Sequence, residues 1–152
     1  MTLDILSIAT TSVLGVFAGS LVTEAMLLVP YWRTLTMAQF YALHHDFGPR
    51  LFRYFAPLTI LATLLPIASA GRGFLGAGQH DPIAWLSAAL IVAVTLSFPL
   101  YFKAANQAFA DRKLNETELP RELARWARVH TVRTALALLG FATSVVVLAS
   151  WG

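Results

Sequence analysis

Long hydrophobic runs without charge constrain this chain more than any other feature. Ile5 to Thr23, Ile83 to Phe102 and Thr134 to Trp151 contain no Asp, Glu, Lys or Arg, and Leu51 to Ala70 contains Arg53 alone. A helix crosses a hydrocarbon core with roughly 20 apolar residues, so each run is long enough to span. Composition agrees: 57% of the 152 residues are hydrophobic and 12% are charged, against about 25% charged in soluble domains. A chain this short has room for one domain. The sequence therefore predicts an all-α, polytopic membrane protein, a four-helix up-down-up-down bundle with helices extended on the cytoplasmic side. Its spans lie at about 5–30, 51–70, 82–102 and 130–151, with an amphipathic segment at 33–50.

Charge sets the orientation. Ten of the 11 Lys and Arg residues (Arg33, Arg50, Arg53, Lys103, Arg112, Lys113, Arg121, Arg125, Arg128 and Arg133) fall on the side where the first span ends, and Arg72 alone on the other. The positive-inside rule then makes that side cytoplasmic, in an inner membrane, with both termini outside. The net charge of +3 is no sign of nucleic-acid binding, because the cations flank apolar runs rather than form a groove-reading patch. There are no cysteines, which removes disulfides and thiolate metal sites. The first run is too long for a typical signal-peptide core of about 7–15 residues, and its leading segment has Asp4 but no Lys or Arg.

Local signals mark the helix ends. The first span closes at Pro30, Tyr31 and Trp32, residues suited to a membrane interface. A helix is expected from about Met37 through His45, broken at Gly48-Pro49. Pro57 and Pro66 kink the second span rather than end it, and a glycine-rich turn containing His80 follows. Asp81 with Pro82 opens the third helix, and Asn115 or Thr117, with Pro120 in the first turn, opens the fourth. Gly15 and Gly19 form a small-xxx-small pair that favours close packing inside the protein, with a dimer seam as the lesser reading.

This arrangement brings polar side chains to one depth at the cytoplasmic end. Glu24 comes down the first helix, and His44, His45 and Asp46 precede the second span. Lys103 and Asn106 follow the third, while Trp126, His130 and Arg133 open the fourth on one helical face. An ionisable group within a span costs about 2.5–3.5 kcal/mol to insert and demands a partner. For Glu24 that partner is Arg133 or a histidine, in a structural ion pair or in a catalytic or ligand-binding role. Neighbouring helical residues point about 100° apart, so at most one of His44 and His45 faces inward. Arg121, Arg125 and Arg128 read as a solvated or headgroup-facing surface. Phe102, with other phenylalanines, is core or a wall for a flat hydrophobic ligand. Glu24, His45 and His130 are the candidate ligands should a metal bind. The motifs typical of bundle metal sites, Glu-x-x-His and His-x-x-x-His, are absent from the sequence, and general acid–base chemistry by histidine needs neither metal nor organic cofactor.

The segments GVFAGSLVTEAMLLVP and FPLYFKAANQAF, and the pattern Trp126-x-x-x-His130-x-x-Arg133 before an apolar run, resemble the anthrone-oxygenase-like integral membrane family. The resemblance covers nearly the whole chain. It implies a four-helix membrane fold and, from some members, oxidation of anthrones to anthraquinones by molecular oxygen without a conventional organic cofactor. By position it implies a site of Glu24, Asn106, His130 and Arg133 with Trp126 beside it; the His44-His45 pair matches no motif of the family. The function expected is thus an oxidoreductase or oxygenase acting on a hydrophobic aromatic or quinone-like small molecule. His44, His45, Trp126 and Phe102 would contact that molecule, with membrane lipids around the bundle. The alternative is a non-enzymatic accessory subunit or lipid- or small-molecule-binding protein in a homo-oligomer or larger membrane complex.

Overall fold

The computed structural model describes residues 5–75 and 81–150; Asp4, His80 and Trp151 lie outside the described residues. Four helical rods account for nearly all of it: α1 (Ile5–Trp32), α2 (Met37–Gly71), α3 (Pro82–Ala110) and α4 (Glu118–Ser150). They contain 28, 35, 29 and 33 residues. At about 1.5 Å per residue each exceeds the roughly 30 Å of a hydrocarbon core. All four are long and apolar enough to cross a membrane. Among the described residues there is no β-strand.

The helix starts follow from their caps. Thr36 accepts the Gln39 backbone N–H, and the Gln39 side-chain oxygen accepts the Thr36 N–H at 2.9 Å, a reciprocal box that opens α2. Asp81 accepts the Ile83 N–H at 2.8 Å to open α3. Of the two candidates before α4, Asn115 is the cap: its Oδ1 accepts the backbone N–H groups of Thr117 and Glu118. The end of α3 is closed by Arg112, whose φ of 53° lies in the left-handed region. Arg112 N–H bonds the Phe109 carbonyl and Lys113 N–H bonds that of Ala108, the pairing of a Schellman motif.

The expected break at Gly48-Pro49 does not occur. Helix α2 runs through Pro49, Pro57 and Pro66. Each proline removes one backbone bond, but both halves of α2 are held by what lies beside them. Near its start, Phe40 packs edge-on against Phe109 and the Tyr41 hydroxyl donates to the Leu114 carbonyl at 2.8 Å. Further on, Thr63 and Thr95 share a hydroxyl hydrogen bond of 2.7 Å.

Two rods contain a π-helical turn. In α1 it covers Glu24–Leu28, with the Val29 N–H reaching back to the Glu24 carbonyl. In α3 it covers Phe98–Phe102, with the Lys103 N–H reaching the Phe98 carbonyl. Pro99 lies in the second, where a residue without N–H already interrupts the α ladder. A π turn inserts one residue, so side chains on its two sides are out of ordinary helical register by about 100°. Glu24 and Phe102, at the ends of these turns, both face α4.

The core falls into three groups. Leu14, Phe17, Leu21, Ile91, Val94 and Ala137 fill the middle. Trp126, Phe102, Phe109, Phe40, Leu119 and Leu123 fill the end next to the π turns. Ala70, Ala84, Ala88 and Val147 close the other end with small side chains. Large apolar residues also point outward along the rods, among them Leu64, Leu139 and Leu100, the last 81% exposed. Hydrocarbon is a natural solvent for such a surface. The two glycines of the GVFAG segment part company. A Cβ on Gly15 would stand 3.1 Å from Phe141, whereas nothing lies within 4 Å of one on Gly19.

Candidate functional site

Where the π turns of α1 and α3 meet α4, a polar centre is enclosed by aromatic rings. His130 is fully buried, and Glu24 and Arg133 are buried beside it. The imidazole Nε2 lies 3.1 Å from the carbonyl oxygen of Leu21 and 3.7 Å from a carboxylate oxygen of Glu24. The first distance is a hydrogen bond; the second is a charge contact too long to be one. Leu21 lies in the regular part of α1 and Glu24 opens its π turn, so the two groups that face Nε2 come from either side of that boundary.

The Leu21 contact fixes the tautomer. A carbonyl only accepts, so Nε2 must carry the proton. In the neutral ring Nδ1 is then a lone-pair acceptor, and it is buried without a hydrogen-bond partner. Arg133 Nε is likewise buried and unpartnered. Buried polar atoms normally find partners. One free acceptor and one free donor in the same enclosed centre are therefore the unusual feature of this molecule.

Aromatic side chains hold the imidazole. Trp126 lies nearly flat on it, with centroids 4.8 Å and planes 23° apart. Phe102 meets it edge-on at 6.2 Å. The Arg133 guanidinium stands over the Phe102 ring at 5.1 Å, so the cation is desolvated against a π face. Trp126 is anchored in turn, its Nε1–H donating to Asn106 Oδ1 at 3.0 Å. Glu24, Phe102, Asn106, Trp126, His130 and Arg133 thus lie together around this centre.

The remaining candidates do not join this centre. His45, Asp46 and Lys103 are exposed. His44 turns inward but packs on Phe40 and Phe109, at 5.7 Å from each ring. Among the described residues no three His, Asp or Glu side chains converge as metal ligands, so Glu24, His45 and His130 are not assembled into a ligand set: one turn of α2 directs His45 to the outside. Arg121, Arg125 and Arg128 are exposed, and Arg125 covers the Tyr101 ring at 5.0 Å.

Two features of the molecule had no counterpart in the sequence reading. One is the pair of π turns, for which Pro99 was the only local hint. The other is a narrow hydroxyl-lined cleft at the opposite end of the bundle, formed by Ser7, Thr10, Thr11, Ser69, Ser87 and Ser144. Its hydroxyls bond backbone carbonyls: Thr11 donates to Ser144 at 3.2 Å and Ser87 to Gly140 at 2.8 Å. Spaced serines and threonines in an apolar run are the signal that points to such a seam.

Fold and site together define a four-helix protein, apolar enough to cross a membrane, with a closed aromatic and ionisable centre near one end. No family model, curated protein or solved structure matches the chain.

Proposed function

We propose that this is an integral protein of the inner membrane whose four spans alternate in direction, with both termini outside and the His130 centre near the cytoplasmic face. The flanking cations support that orientation. Alternation is supported by the neighbours along the rods: Glu24 lies beside His130 while Thr11 bonds Ser144. Within that frame the protein is an oxygenase-type enzyme acting on a hydrophobic aromatic or quinone-like small molecule. The observation that carries this reading is the unpartnered Nδ1 of His130 in a centre that also holds the unpartnered Nε of Arg133.

The chemistry follows from those two atoms. Nδ1 accepts a proton from an activated CH₂ of an anthrone-like ketone. The imidazolium formed is steadied at Nε2 by Leu21 and Glu24, and Arg133 faces the negative charge that gathers on the ketone oxygen. The electron-rich carbon then bonds to molecular oxygen. Loss of its second proton and cleavage of the O–O bond give a carbonyl and water. Carbon loses four electrons and dioxygen gains them, so CH₂ and O₂ become C=O and H₂O with no further reductant.

The test uses purified protein in lipid nanodiscs with anthrone, following oxygen uptake and anthraquinone absorbance against empty nanodiscs. Turnover above background is expected, and His130→Gln should reduce it by roughly 10²–10⁴-fold, the range of general-base contributions. Equal rates for the two proteins would overturn the mechanism.

A second reading, a non-enzymatic subunit or binding protein, draws on the closure of the site, since His130 is fully buried and Glu24 and Arg133 are buried beside it. It predicts that Glu24→Gln harms folding or assembly, and that a partner copurifies, without any turnover to lose.

A further inference from the structure

Helix α4 carries one face that no other helix covers. At 3.6 residues per turn, Arg121, Arg125, Arg128, Val132, Ala135 and Leu139 fall on a single stripe, and all six are exposed. The stripe changes character once. Its first three positions are guanidinium groups and the rest are apolar, with exposed Val146 continuing the line. The lengths match one leaflet boundary and the hydrocarbon beyond it. Val146 lies 18 residues on from Arg128, about 27 Å along the axis, against roughly 30 Å of hydrocarbon. Arg121 to Arg128 covers about 10 Å more, and a headgroup layer is roughly 5–8 Å deep. Arg125 and Arg128 therefore stand at headgroup level, with Arg121 at its outer edge.

The carboxylates nearest this stripe are turned to other partners. Glu122 Oε1 accepts the Tyr101 hydroxyl at 2.7 Å, and Glu118 Oε2 accepts the Asn115 N–H at 3.0 Å. Among the described residues none of the three arginines forms an ion pair. Arg125 is also held in place. Its guanidinium lies over the Tyr101 ring at 5.0 Å, and the bond from Tyr101 to Glu122 ties that ring to α4.

We propose that this face seats one anionic phospholipid, with its phosphate between Arg125 and Arg128 and an acyl chain along Val132, Ala135 and Leu139. The inference rests on the transmembrane placement proposed above and not on the chemistry at His130. A guanidinium fork matches two phosphate oxygens, and these forks have no carboxylate of the protein to satisfy them. A soluble anion would use the arginines and leave the apolar half of the stripe without a role. A zwitterionic lipid brings its own ammonium to the level of the cations and so gains less.

The test titrates the full chain in detergent micelles with dioleoylphosphatidylglycerol or dioleoylphosphatidylcholine, and counts bound lipid by native mass spectrometry. One phosphatidylglycerol is expected to bind at least about tenfold more tightly than phosphatidylcholine. Arg125→Gln/Arg128→Gln should weaken phosphatidylglycerol by at least about tenfold, or about 1.4 kcal/mol, and leave phosphatidylcholine as it was. Arg125→Lys/Arg128→Lys keeps the charge without the fork and should fall between the two. Tyr101→Leu removes the ring under Arg125 and should weaken binding by about two- to fivefold, the worth of an exposed cation–π contact. Arg50→Gln/Arg53→Gln removes the same charge from α2 and should leave binding unchanged. Equal losses in the two glutamine pairs would mean that net charge alone attracts the lipid, and would overturn the site. Equal binding of the two lipids by the parent would overturn it as well. So would displacement by an equal concentration of glycerophosphoglycerol, the same headgroup without chains, which would make the ligand a free phosphate ester. An acidic protein that copurifies with the parent and blocks the lipid would reassign the face to that partner. Failure to float with liposomes of either lipid would overturn the transmembrane placement and this site with it. Selective binding by a protein that does not oxidise anthrone would retire the catalytic reading and leave the lipid site standing.

Discussion

Trp126 and His130 are stacked, one turn apart on α4, and the indole that covers the imidazole is itself tied down by Asn106. The hydrogen bond from Trp126 Nε1 to Asn106 Oδ1 is 3.0 Å long. Asn106→Leu leaves a buried N–H without an acceptor, a loss of roughly 1–3 kcal/mol. Asn106→Asp keeps an acceptor oxygen in place. Thermal unfolding in detergent is expected to show a clear drop for the leucine variant and a smaller one for the aspartate variant; equal drops would mean that the side-chain oxygen is not what holds the indole.

The tautomer of His130 can be read directly. With ¹⁵N-labelled histidine in nanodiscs, the resonance that disappears in His130→Gln should be that of a neutral ring protonated at Nε2. A proton on Nδ1 would contradict the bond to Leu21. Glu24→Gln removes the negative charge 3.7 Å from Nε2 while keeping side-chain volume. If the imidazolium forms during turnover, that variant should lower the maximal rate of anthrone oxidation more than it raises the Michaelis constant.

Glycines in these helices differ in what surrounds them, and substitution should separate them. A Cβ on Gly140 would stand 2.8 Å from Ile91 Cδ1 and 3.0 Å from its Cγ1, and Ile91 is fully buried. Gly140→Ala is expected to cost about 1–3 kcal/mol through overpacking, with partial recovery when Ile91→Val removes the nearest methyl. Gly19→Ala meets nothing within 4 Å and should be neutral or stabilising by up to roughly 1 kcal/mol through the better helix propensity of alanine. The midpoints of thermal unfolding for the three variants check both statements.

The turn that ends α3 holds an arginine where glycine is at ease. Arg112 sits at a φ of 53°, a conformation that costs an L-residue with a side chain roughly 1–2 kcal/mol. Arg112→Gly should therefore raise the unfolding midpoint, and Arg112→Val should lower it. A glycine variant less stable than the parent would show that the arginine side chain contributes more than its backbone strain removes.

Much of this protein is determined by residues acting over short distances. Hydrophobic runs longer than a buried helix needs call for hydrocarbon around four helices, and Asp81, Pro82, Asn115 and Pro120 mark where two of the helices start. The 3.6-residue period alone puts Trp126, His130 and Arg133 on one face. Those are properties of a helix taken by itself, and they survive into the folded chain. What neighbours decide could not be read in the same way. Side chains packed on both halves of α2 carry it through Gly48-Pro49 and turn His44 inward and His45 out. The packing of α1 on α4 sets which groups meet the imidazole, among them the Leu21 carbonyl, a backbone atom with no signature in the sequence. Gly15 and Gly19 look equivalent along the chain, yet only Gly15 has a ring, that of Phe141, against it. Register and facing are settled by contacts between helices, and the free nitrogen of His130 is a consequence of such contacts.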